Sequence, residues 1–290
     1  MSTAASSIAG RIGLLAALAV VAAGCLPGPA ATPASLVAPS PATVAAVASM
    51  ESSTSGLPVS PVPPPTPAAT VAPTPAPTPT PTPAPVRGPV NVSLLARPAS
   101  FFITEIRKTW CAAAATQMVL AIDGKVELTA AVQKKIVARS AAFWTWRDSH
   151  NKGWGPAMIA AVLDDYGVPG YTVKTYKTRA AALLDAAKAI QRFRQPVVLM
   201  AWYGAHAWVM TGFRATADPL VFPDATVSGA YILDAWYPRV STLWGRSDPP
   251  GTFQDAAEMR RNYLPWKRPE GRYPARDGLF VAVVPTRPAP

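Results

Sequence analysis

Apolar positions along the chain fall into two kinds of pattern, and they change over at about residue 170. Before it the spacing is helical. Cys111, Ala114, Ala115, Met118 and Ile122 share one face of a helix that Thr109 is placed to cap and Gly124 to end. Leu128, Val132 and Ile136 repeat in the same way, with Lys134 and Lys135 outside, and Pro156 suits the first turn of a third helix running to about Tyr166. The stretch 141–155 is rich in tryptophan, with glycine and asparagine, and reads as a loop. Beyond it, 170–176 alternates as a strand and 180–194 is an alanine-rich helix. Residues 195–202 form an apolar run, Tyr203-Gly204-Ala205 turns the chain, and 206–213 returns as a hairpin partner. Residues 231–236 and 279–284 read as further strands, and 100–106 as an extended lead-in to the Cys111 helix. Helices followed by strands predict an α+β domain with an antiparallel sheet.

No such patterning precedes residue 97. Nineteen of the 34 prolines lie there, whereas all 25 aromatic residues (9 Trp, 8 Tyr, 8 Phe) lie from Phe101 onward. A segment without aromatics cannot build a core, so 26–96 reads as a disordered stalk and 97–290 as one folded domain. The Thr-Pro and Ala-Pro repeat over 73–85 favours extended polyproline conformations, about 3 Å per residue. Residues 1–25 have the build of a secretory signal: Arg11, then a short apolar run over 12–23 ending in small residues. Val21-Ala22-Ala23-Gly24-Cys25 resembles a bacterial lipobox, which makes Cys25 the expected lipid attachment site. The expected location is then the outer face of the cytoplasmic membrane or the cell surface, with plain secretion as the alternative.

The net charge of +11 (27 basic, 16 acidic) sits mostly in the domain, where 25 minus 15 leaves +10. It is dispersed and accompanies no nucleic-acid motif, so it suits solubility and an anionic cell surface better than nucleic acid. The domain holds one cysteine, Cys111, and therefore no disulfide. Neither a glycine-rich phosphate loop nor a cysteine pair is present, and Cys111, His150 and His206 form no known ligand spacing. No cofactor or metal is expected, and the expected form is a monomer.

A thiol in the first turn of a helix meets the positive end of the dipole and free N–H groups, a setting that favours the attacking thiolate. A lone cysteine among alanines is also a good small hydrophobe. His206 begins a strand directly after a turn, on one face with Trp208 and Met210, while Ala207, Val209 and Thr211 face the other way. Asp234, inside the apolar Ile232-Leu233-Asp234-Ala235-Trp236, needs a partner: a bend, an arginine, or the second nitrogen of a histidine. His150 lies at a loop tip and is a weaker candidate for a base. Each residue alone has a structural use. Together they supply a nucleophile, a base and an orienting acid.

Trp110-Cys111 ahead of a small-residue helix, then residues 206–213, then 232–236, resemble the papain-like cysteine peptidases. The likeness, over about 98–285, is to the bacterial branch of double-glycine, bacteriocin-leader-processing peptidases. It implies an α+β papain-like fold with the cysteine-bearing helix packed on the sheet, Cys111 as nucleophile, His206 as base and Asp234 as its partner. It also implies hydrolysis of a peptide or protein substrate. That family carries a glutamine oxyanion donor six residues before the cysteine; this chain has Glu105. An ionised carboxylate there would repel thiolate and oxyanion alike, so the position serves only if protonated or if helix N–H groups suffice. Two alternatives follow: a binding module for peptides or glycans that has lost hydrolysis, and acyl transfer of the transglutaminase kind.

Overall fold

The computed structural model describes residues 84–149, 154–267, 269 and 271–290. The signal, most of the stalk, Cys25 and His150 lie outside them. The α+β class expected from the sequence is present, as a seven-stranded antiparallel sheet between two groups of helices.

In chain order the strands are β1 (Val90–Ser93), β2 (Tyr171–Tyr176), β3 (Val197–Ala201), β4 (His206–Ala215), β5 (Val227–Asp234), β6 (Val240–Ser241), β7 (Gly245–Arg246), β8 (Thr252–Asp255) and β9 (Phe280–Pro285). The helices are α1 (Cys111–Ile122), α2 (Ala130–Ser140), α3 (Pro156–Asp165), α4 (Arg179–Phe193) and α5 (Ala256–Asn262). The sheet runs β2-β9-β3-β4-β5-β8, with β6 and β7 as a separate ribbon. Strand β4 is its centre. One edge pairs with β5 over 208–215; the other pairs with β3 over 206–210 and with β1 over 212–215. Strand β1 lies upstream of the boundary read at residue 97, so the folded part takes in residues assigned to the stalk.

Each face of the sheet has its own core. Ala207 and Val209 of β4 pack with Ala115, Met118 and Val119 of α1 and Ile159 of α3. Trp208 and Met210 pack with Ala186 and Ile190 of α4 and Met259 of α5, which is the alternation expected from the sequence. Helix α1 departs from a one-sided pattern. Residues 112–120 are all buried, because α2, α3 and the sheet enclose it, and its alanines permit that close approach. Local chemistry sets the helix ends. Thr129 and Thr178 each accept a main-chain N–H three residues on, and Pro156 occupies the first turn of α3. Gly124, at φ +68°, follows the end of α1.

Candidate active site

Helix α1 starts on Cys111 itself, with Trp110 at the cap position and no side chain bonded to the first turn. The cap expected of Thr109 is not made. The reason is the turn before the helix: Trp110 N–H donates to Arg107 O at 2.9 Å, so the chain enters the helix one residue later. Without a side-chain cap, the N-terminal N–H groups beside the sulfur stay uncompensated. Cys111 is a free, half-buried thiol whose Sγ lies 3.9 Å from the main-chain oxygen of Ala205.

That oxygen immediately precedes His206, the first residue of β4. The turn delivering it spans the four residues 202–205 and is left-handed over its first three. Trp202, Tyr203 and Gly204 all have positive φ, at 52°, 60° and 82°. Left-handed backbone at two residues with side chains carries strain of about 1–3 kcal/mol each and persists only where packing enforces it. Glycine is required third, since a Cβ at residue 204 would sit 2.3 Å from the Trp266 ring.

His206 is 2% exposed, and its Nε2 lies 2.6 Å from Oδ1 of Asp234 at the end of β5. The same oxygen accepts the Trp236 main-chain N–H at 2.9 Å, which fixes the carboxylate's orientation. Nδ1 is left for the Cys111 sulfur. Burial alone would push the imidazole down, but the charges of Asp234 and Cys111 and hydrogen bonds to both outweigh it and raise its pKa to about 10. Trp202 stacks on the ring, with centroids 4.1 Å apart and planes 17° from parallel, and Trp236 meets it edge-on at 6.4 Å. Cys111, His206 and Asp234, distant in sequence, are therefore brought to one place.

Glu105 joins them from the lead-in to α1. A buried amide network holds this segment: Gln133 accepts Ile106 N–H and donates to Thr104 O and to Gln117 Oε1, while Gln117 donates to Glu127 O and Thr129 O. Glu105 is fully buried, and its N–H donates to Ala235 O at 3.0 Å. Arg239 donates to its main-chain oxygen at 2.7 Å and to Oε1 at 3.2 Å, leaving Oε2 buried without a hydrogen bond. Burial pushes the carboxyl up to about 7, with Asp234 adding to the rise and His206, Arg239 and the nearby Trp110 N–H opposing it.

Sequence reasoning did not find Arg239, Trp202 or the two glutamines. Gln117 and Gln133, polar positions inside helical apolar stretches, carried a signal; Arg239, on a loop beyond β5, carried none. Among the described residues no group of three or more His, Cys, Asp or Glu could hold a metal, and no helix is long and apolar enough to cross a membrane.

No protein-family model matches the chain, and no curated protein does. Among solved structures it is similar to a double glycine motif protease from an AMS/PCAT transporter in complex with the leader peptide. The identity is 15% and the TM-score 0.34, over 64% of this chain and 91% of that one. At that score the likeness carries no weight for the chemistry, which the geometry of the site has to support.

Proposed function

We propose that the chain is a cysteine peptidase of papain-like type, exported and held at the cell surface through Cys25. The observation that carries the reading is the 2.6 Å contact of His206 Nε2 with Asp234, on a ring whose other nitrogen serves the Cys111 sulfur at the head of a helix. The Cys111 thiolate attacks a peptide carbonyl carbon, forming a C–S bond. The carbonyl π electrons move onto oxygen, and the tetrahedral oxyanion faces the N–H groups at the start of α1. Collapse breaks the C–N bond, and His206 protonates the departing amine. His206, now neutral, takes a proton from water; the hydroxide attacks the thioester and releases the acid, and the imidazolium–thiolate pair is restored. Asp234 holds the ring's tautomer throughout.

Glu105 takes part as a neutral acid in this scheme. A fully buried carboxyl oxygen with no donor is unfavourable when charged, whereas its protonated form presents an O–H to the oxyanion. Its ion pair with Arg239 also favours a second reading, a peptide-binding cleft in which the acid is structural and hydrolysis is lost.

The test is cleavage of a peptide mixture at pH 5 to 8, followed by mass spectrometry. Cleavage that vanishes in Cys111→Ala supports the peptidase. Retention of peptides without cleavage by either form supports the binding cleft.

A further inference from the structure

The Trp202 indole is buried, at 7% exposed, and is fixed on every side. One face lies on His206 at 4.1 Å and 17°. It also stacks with Trp244, at 5.6 Å and 2°. Its Nε1 donates to Asn262 Oδ1 at 3.0 Å, and the Asn262 amide is itself tied to Glu258 O, so the ring cannot rotate in its plane. Trp236 stands edge-on to both rings, at 79° to Trp202 and 87° to His206. The backbone under Trp202 sits at φ +52°, a left-handed conformation.

A buried imidazole has two in-plane positions and two faces. Asp234 takes Nε2, and Cys111 is the partner at Nδ1. The charged and titratable groups around the ring are Asp234 from β5, Cys111 from α1 and Glu105 from the lead-in to α1. Trp202 covers one face. An electron-rich indole face attracts a cation more strongly the less water competes.

We infer that Trp202 is a positioning residue for His206: its indole face keeps water from the ring, fixes the ring plane and favours the imidazolium beside the Cys111 sulfur. This rests on the cysteine–histidine reading above and adds a residue to it. The left-handed turn is then the means by which one hairpin supplies both the base and its cover.

The test replaces Trp202 in the full-length chain with tryptophans carrying one to four ring fluorines, introduced by stop-codon suppression. Fluorine drains the π face while nearly preserving shape. The His206 ring is followed by nitrogen NMR from pH 5 to 11. The expected result is a midpoint that falls stepwise, by about one pH unit across the series, with Trp202→Leu moving it the same way and Trp202→Phe moving it less. A midpoint indifferent to fluorination overturns the role of Trp202. A separate control, Cys111→Ala, addresses the parent reading: if it leaves the unsubstituted protein's His206 midpoint unmoved, the cysteine–histidine pair fails whatever the fluorinated forms do. Should Trp202→Leu not fold, the fluorinated series still decides.

Discussion

Asp234 Oδ1 serves two donors at once, the His206 ring at 2.6 Å and the Trp236 main-chain N–H at 2.9 Å, so the acid that orients the base is itself held by the next turn of chain. This ties the end of β5 to the start of β4. It also makes Asp234 the residue whose loss separates stability from chemistry most cleanly.

Asp234→Ala removes the larger of the two charges that favour the buried imidazole as a cation. Removing one partner of a buried pair costs about 3–5 kcal/mol, and peptide hydrolysis should fall by about a hundredfold or more in kcat/KM. Asp234→Asn retains an acceptor but not the charge, so it should lose activity with a smaller change in melting temperature. Thermal melts and kinetics on the two variants check this. Equal losses in both measures for both variants would reduce Asp234 to a purely structural role.

Glu105 donates only while protonated, and burial raises its pKa to about 7. Hydrolysis by the native chain should therefore decline as pH rises through about 7. Glu105→Gln supplies a permanent N–H donor and should abolish that decline, with activity above neutrality equal to or greater than the native chain's. Glu105→Ala should lose about a hundredfold. Absence of hydrolysis in both the native chain and Glu105→Gln points to the binding cleft.

Both perturbed groups bind their protons more tightly in the folded chain. The imidazole goes from 6.5 to about 10, as Asp234 and Cys111 outweigh burial, and the Glu105 carboxyl goes from 4.5 to about 7 through burial. The His206 contribution is fully present below about 6.5 and is lost as pH rises through about 10. The destabilisation from charged Glu105 is absent below about 4.5 and complete above about 7. Through this window these two groups lower stability as pH rises, and their share is read in Cys111→Ala, where the thiol's own proton does not enter. Denaturant melts of that variant from pH 4.5 to 9.5 read the slope, and adding Glu105→Gln should flatten its acidic half. A Cys111→Ala curve that rises across this range would contradict the assignment.

Gln133 links the lead-in of α1 to α1 and α2 through Ile106, Thr104 and Gln117. Gln133→Ala strands these groups, at about 1–3 kcal/mol each, and frees the segment that carries Glu105. Hydrolysis should slow more than thiol alkylation does, because the sulfur and His206 are held by other elements.

Much of this arrangement was legible in the sequence because short-range chemistry decides it. The helical spacing of Leu128, Val132 and Ile136 marks α2 and the run into Tyr203-Gly204 announces a hairpin, whereas Thr109, the one cap read from the sequence, is not the cap that forms. That Asp234 needs a partner was legible for a related reason, since an acid in an apolar strand is costly alone, but a bend, an arginine and a histidine were all open to it. What was hidden depends on distant contacts. Strand β1 is four residues of a proline-rich stretch, and only its register with β4 makes it a strand. Strand β8 and helix α5 are short, and their apolar residues are few; packing on β5 stabilises them. Arg239 reaches Glu105 across 134 positions of sequence, and no local pattern reports such a meeting.

The central claim is that His206 activates the Cys111 sulfur as a nucleophile. It is tested most directly by the alkylation rate of Cys111 with iodoacetamide at pH 6, against a free-thiol reference and in His206→Ala. The expected result is a native rate about tenfold or more above the reference, brought down to it by the substitution. A native rate no greater than the reference and indifferent to His206→Ala would contradict it.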